Sequence, residues 1–231
     1  MIMARQINFF AVGEFYHVYN RGTEKRLIFL DDVDRTRFLS LLYLCNNRTP
    51  IHRSDFINAS LSDLMTVPRE EQLVDIGAYC LMPNHFHLLL RERIEGGISI
   101  FIQKVSTAYT MYFNKHYERN GSLFQGRFKA EHLDTDNYLK YIFAYIHLNP
   151  IGIIDNGWKD HIIKDKTKIN NHLSSYKFSS YLDYADQDSR NPEGSILNKT
   201  AFPKYFQTPK DFRVHLQDWI DLAVENVKVE P

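Results

Sequence analysis

His85, His87, Tyr145 and Asn149 are the residues whose types and spacing could do chemistry. His85 and His87 sit two apart in an apolar run from Gly77 to Leu90, with Asp75 before it and Arg91, Glu92 and Arg93 after it. The length and composition of the run suit a buried strand better than a helix. Residues two apart in a strand point to the same face, so the two imidazoles project side by side, roughly 6–7 Å apart at the backbone. Neutral imidazole is the commonest metal ligand, but two ligands leave a site incomplete. Tyr145 and Asn149, four apart in a segment read as helix, lie one above the other. Arriving together, a phenol and an amide oxygen would supply a nucleophile and a third ligand.

A tyrosine attacks a phosphodiester when the phosphate is held in line and its charge is offset, which a divalent ion achieves. Two imidazoles and an amide oxygen leave positions open on Mg²⁺ or Mn²⁺, of which Mn²⁺ tolerates imidazole better. Spacing places no third histidine or carboxylate to complete a hydrolytic zinc site. Plainer roles exist for most of these residues. Asn149 could cap its helix ahead of Pro150, and Tyr109, Tyr112, Tyr138 and Tyr141 lie on apolar faces as core or rim. His17, His132 and His147 read as non-ligands.

The elements that must position these residues follow from periodicity. Phe15 to Gly22 reads as a first strand ending in a turn, and Asp31 or Asp32 could cap a helix carrying Phe38, Leu41, Leu42 and Cys45. Residues 47–72 are mixed and polar and read as an insertion, with a short helix near Leu61 to Met65. After the histidine strand, Gly96 and Gly97 open a helix whose apolar face runs from Ile98 to Phe113. Leu123 to Leu133 reads as a further strand with exposed cations. Asp134, Thr135 and Asp136 then precede the tyrosine helix, which Pro150 is expected to stop. Ser174 to Tyr181 reads as a segment returning to the domain, and 186–195 as polar turns. Thr208 and Pro209 open a last helix, about 209–226, with Phe212, Leu216, Trp219, Ile220 and Ala223 on one face.

The chain's 231 residues suffice for one ordinary core with an appendage, and its composition is that of a soluble globular protein. Lys plus Arg and Asp plus Glu number 28 each, so net charge alone gives no argument for nucleic acid. From Arg91 to Lys129, however, seven Lys/Arg face three acidic residues. Two cysteines without a Cys-x-x-Cys pair indicate neither a disulfide scaffold nor a zinc knuckle. The N-terminus has no secretion signal and no run reaches membrane-spanning length, so a cytoplasmic protein is expected.

Four stretches resemble a known family: Tyr16-His-Val-Tyr-Asn-Arg-Gly22, Met82-Pro-Asn-His-Phe-His-Leu-Leu-Leu90, Gly121-Ser-Leu-Phe-Gln-Gly-Arg-Phe-Lys129 and Tyr145-Ile-His-Leu-Asn-Pro-Ile151. With the element order, they are similar to the single-tyrosine HUH transposases of the IS200-like type, closest to the REP-associated tyrosine transposases. The resemblance runs from Tyr16 to about Ile151 and returns weakly at Ser174 to Tyr181. It implies that His85, His87 and Asn149 bind the metal and that Tyr145 is the nucleophile. It also implies a ferredoxin-like α/β sandwich, an antiparallel sheet with helices on one face, single-stranded DNA substrates with hairpins, and often a homodimer, a monomer being the alternative. Residues 1–181 are then the transposase domain and 182–231 a mainly helical C-terminal extension. Arg21, Lys104, Arg127 and Lys129 are the expected DNA-binding cations. Phe124 and Phe128 could stack on unpaired bases or pack in the core. The competing readings are a catalytically silent DNA-hairpin binder of the same fold and an unrelated metal-dependent hydrolase.

Overall fold

Aromatic and β-branched residues make Phe15–Arg21 a strand, β1, flanked on both sides by other strands. The computed structural model of the chain describes residues 10–155, 165–186 and 192–225. After β1 come α1 (Asp32–Leu44), α2 (Leu61–Leu64), β2 (Val74–Met82), β3 (His85–Glu92), α3 (Gly97–His116), β4 (Lys129–His132) and α4 (Asp136–Leu148). The C-terminal part adds α5 (Ile151–Ile154), α6 (Lys166–Ser175), α7 (Tyr181–Ala185) and α8 (Pro209–Glu225). The strands pair antiparallel in the order β2-β3-β1-β4. With α1 and α3 as its crossovers, this is the ferredoxin-like arrangement.

The apolar run 77–90, expected as one strand, is a hairpin. Pro83 and Asn84 form a two-residue turn, and Met82 pairs with His85 across it. Proline has no N–H to give a ladder and asparagine tolerates turn geometry, so the chain reverses there. Both strands are buried on both faces and therefore carry little polar punctuation. The strand expected over 123–133 is also shorter, forming only at Lys129–His132. Gly126, at φ 71°, turns the chain before it, and Phe124 pairs only as an isolated bridge with Gly22, just past the end of β1.

Helix ends follow their local chemistry. Asp31 caps α1 by accepting from the Asp34 N–H, and Thr135 caps α4 by accepting from Tyr138. Pro150 does not extend the chain as expected. Asn149 keeps helical dihedrals (φ −53°, ψ −37°), and the short helix α5 follows at once.

Alternation along β3 sorts the two layers. Phe86, Leu88 and Leu90 face α1 and α3, where Phe38, Phe101, Val105 and Tyr109 complete one core. Leu89 faces the other way, into a second core with Leu139, Ile142 and Phe143 of α4 and Phe212, Leu216 and Ile220 of α8. Helices on one face thus describes α1 and α3, while α4 and the C-terminal extension cover much of the opposite face. The chain beyond α6 is bound to the sheet by more than apolar contact. Leu81 N–H donates to Phe178 O, Ser180 N–H to Tyr79 O and Asn198 N–H to Ile76 O, so returning segments cover the outer edge of β2. At Gly77 the Phe202 ring lies so close that a Cβ would come within 2.6 Å of it.

The 47–72 insertion runs across α1. Buried Asn46 ties its ends together, accepting from Leu73 and Val74 N–H and donating to Val74 O. The last helix starts where Thr208 and Asp211 cap each other reciprocally. Its expected apolar face is buried at Phe212, Leu216 and Ile220; the Ala223 side chain, residue 226 and residues 187–191 of the expected turn stretch lie outside those described. No helix among the described residues is long and apolar enough to cross a membrane.

Candidate active site

Register puts the chemistry-bearing side chains on one face of three adjacent strands. Arg21 pairs with His85, Tyr19 with His87 and with Lys129, and His17 with Leu89 and with Glu131. Directly opposed residues in an antiparallel sheet share a face. His17, Tyr19, Arg21, His85, His87, Lys129 and Glu131 therefore all look toward the layer that holds α4.

The His85 and His87 rings are 4.9 Å apart between centroids and perpendicular. His85 Nδ1 lies 2.6 Å from Asn84 Oδ1, an acceptor, so it carries the proton and Nε2 carries the lone pair. His87 Nδ1 lies 2.9 Å from Nε2 of His17, whose ring stacks on it at 5.0 Å. The Tyr145 ring stands edge-on to both imidazoles, 5.4 Å from His87 and 5.9 Å from His17. The nucleophile candidate and one expected metal ligand thus meet within a single chain.

Asn149 follows Tyr145 by one helical turn. It is buried, with its Nδ2 3.5 Å from Tyr145 O, and no donor reaches its Oδ1. A buried carbonyl oxygen without a partner is costly in an apolar setting and is what a cation ligand leaves when no cation is bound. Among the described residues no three His, Cys, Asp or Glu come together to hold a metal. A metal with three protein ligands here would need an oxygen of another kind. As a donor set, two imidazoles and an amide oxygen suit a divalent ion that takes nitrogen and oxygen ligands together, Mn²⁺ better than Mg²⁺.

The other tyrosines are committed elsewhere. Tyr109 donates to Ile28 O and Tyr112 to Asp34, both on the α1/α3 side of the sheet. Tyr138 and Tyr19 donate to the two oxygens of Glu131, each at 2.9 Å. Burial, reinforced by that carboxylate, pushes each of these two phenols up to about 12. Tyr141 stacks outside Tyr145 and against Trp219 at the surface.

Two residues of the neighbourhood have no local signal in the sequence. His17 is buried, and desolvation pushes its imidazole down to about 4 despite the nearby carboxylate, so it is neutral at neutral pH. Glu131 faces His17 Nδ1 at 3.8 Å. Burial opposes its ionisation, but hydrogen bonds from Tyr138 and Tyr19 and the adjacent His17 bring its pKa below the ordinary value. The strand order that joins β1 to β3 and β4 creates both contacts.

The expected DNA contacts divide. Arg21 is exposed at the end of β1, its Nε on Gln125 Oε1 at 2.6 Å. Arg127 and Lys129 are exposed and line a groove of about 1330 Å³ between α3 and the 122–131 segment, with Phe124 and Phe128 in its wall. Phe124 is buried in the core as well, while Phe128 stacks on Phe10. Lys104 is not with them. Its ammonium donates to Asn47 O and Arg48 O and holds the insertion against α3. His132 meets Glu14, and His147 is a satisfied core residue between Phe143 O and Ser180 Oγ.

A family model described as "Transposase IS200 like" matches residues 39–149. That stretch is similar to the IS200-like transposases. It contains the histidine hairpin, β4 and the tyrosine helix, and it supports a DNA transposase as the class of activity. A solved structure described as the REP-associated tyrosine transposase bound to a REP hairpin is similar in fold. It has a TM-score of 0.51 and 14% sequence identity, covering 80% of this chain and 87% of that one. At that identity the likeness shows the fold, including elements on either side of the matched stretch. No curated protein sequence matches this one.

Proposed function

We propose that the chain is a metal-dependent DNA strand transferase that cleaves and rejoins single-stranded DNA carrying hairpins, through a 5′-phosphotyrosine on Tyr145. The observation that carries this reading is the Tyr145 ring standing 5.4 Å from His87 in the same chain. The family match, and a neighbour whose description names a REP hairpin, support reading the substrate as DNA with hairpins.

His85 and His87 through Nε2, with Asn149 through Oδ1, would hold Mg²⁺ or Mn²⁺. When bound, the ion draws charge from the scissile phosphate and the departing oxygen. Every other part falls to the chain. Tyr145 presents its phenol beside the histidines on a helix packed from both sides, and its oxygen bonds to phosphorus as the bond to the 3′ oxygen breaks. The phenol loses its proton and the 3′ oxygen gains one, leaving a 3′-hydroxyl and a phosphotyrosine whose bond energy is kept for rejoining. Arg21, Arg127 and Lys129 contact the backbone phosphates. Because the histidines and the tyrosine come from one chain, a monomer holds all the named groups; the homodimer that the resemblance implies is tested by sedimentation with and without DNA.

Labelled hairpin oligonucleotide incubated with the protein and Mn²⁺ gives a covalent adduct that is absent in Tyr145→Phe and in His87→Ala. An adduct formed by Tyr145→Phe overturns the assignment. Hairpin binding with no adduct in any divalent metal leaves a DNA-binding fold without the chemistry.

A further inference from the structure

The His17–His87 contact forces a choice between two proton arrangements. The nitrogens are 2.9 Å apart, and two neutral imidazoles share one hydrogen between them. If His17 Nε2–H donates, His87 keeps its proton on Nε2, which then cannot bind a cation, and His17 turns a lone pair on Nδ1 toward a carboxylate. If His87 Nδ1–H donates, the lone pair of His87 is on Nε2, and His17 carries its proton on Nδ1, facing Glu131 Oε2 at 3.8 Å. Coulomb attraction favours the second arrangement, since lone pair against carboxylate repels while N–H against carboxylate attracts.

Glu131 is held in place to make this choice. Tyr19 donates to its Oε1 and Tyr138 to its Oε2, and Tyr19 also stacks on the His17 ring at 4.9 Å. His85 reaches the same tautomer by a shorter route, through Asn84 Oδ1. Ligating histidines commonly donate their other ring N–H to an acceptor that fixes tautomer and orientation. Here one acceptor is an amide, and the other is a second imidazole backed by a carboxylate.

We propose that His17 is a positioning residue for the metal site, with Glu131 behind it: together they hold His87 as the Nδ1–H tautomer and so present its Nε2 to the cation. This rests on the proposed function, which places a divalent ion on His85 and His87. His17 lies on β1, outside the stretch that the family model matches, and Glu131 lies inside it.

The test measures tautomer and metal affinity, both independent of DNA cleavage. Long-range ¹H–¹⁵N spectra of the metal-free wild-type protein, with the His87 ring assigned by comparison with His87→Ala, should show its proton on Nδ1. A proton on Nε2 overturns the proposal whatever the variants do. Mn²⁺ titration by calorimetry should show His17→Phe, which offers no acceptor, weaker than wild type by roughly 10–100-fold. His17→Gln, whose amide oxygen can occupy the Nε2 position, should recover most of that loss. Glu131→Gln should weaken binding less and leave the His85 tautomer unchanged. Equal affinity in wild type and a folded His17→Phe overturns the inference alone. Wild-type affinity that survives loss of both His85 and His87 overturns the metal site itself.

Discussion

Asn149 separates a structural amide from a ligand by the sign of two effects. Its Oδ1 is buried without a donor, a condition that costs about 1–3 kcal/mol when nothing compensates it. Asn149→Leu is therefore expected to leave the metal-free protein as stable as wild type or more so, while weakening Mn²⁺ binding. Thermal unfolding with and without Mn²⁺ reads both, and a loss of stability in the metal-free variant would mark the amide as an ordinary cap. His147, two residues away, stays neutral in the folded protein. Burial lowers its pKa to about 3, so the folded form excludes a proton that the unfolded chain takes up near 6.5. Below 6.5 the unfolded state binds more protons, and stability falls with pH. His147→Gln should remove about one proton from that dependence, ~1.4 kcal/mol per pH unit between about pH 6 and 5, as measured by urea unfolding. His17, lowered to about 4, retains its own share in this variant.

The tyrosine helix is held between the sheet and α8, so the C-terminal extension bears on the site although it supplies none of the named groups. Leu216 is 2% exposed and shares a core with Ile142 and Phe143 of α4. Leu216→Ala should cost about 2–5 kcal/mol, and Thr208→Ala, which removes the cap of α8, about 1 kcal/mol, both by chemical denaturation. Most of this architecture was legible in the sequence. The caps at Asp31 and Thr208, the helical spacing of Ile98 to Phe113 and the four-residue step from Tyr145 to Asn149 are local patterns, and local patterns survive in a linear chain. The reversal at Pro83 was missed because strands buried on both faces leave an unbroken apolar run. Lys104 lies in the locally basic 91–129 stretch, but its ammonium has two carbonyl partners across the insertion. His17 and Glu131 carry no sign of their contact because 114 residues separate them and strand order alone brings them together.

For the whole molecule, even charge balance and a local basic face are compatible because the cations are sorted by strand. Arg21 and Lys129 share the face of the histidines, and Arg127 sits in the groove beside them. Single substitutions Arg127→Ala and Lys129→Ala should each reduce the slope of log affinity against log salt for a hairpin oligonucleotide by about one, with little effect on which sequence is bound. A substitution in the tail, such as Lys210→Ala, should leave the slope unchanged. Metal should also couple to folding as a whole. Mn²⁺ at about a hundred times its dissociation constant should add roughly 2.7 kcal/mol to wild-type stability and none to His87→Ala.

The helix bearing Tyr145 is wedged between two packed layers of its own chain, so it cannot swing away without opening an apolar core. If Tyr145 forms the proposed phosphotyrosine, the captured DNA end would stay moored where it was cut. The acceptor strand would then have to travel to the enzyme's fixed anchor, and exchange of partners would be a matter of threading DNA past a stationary post.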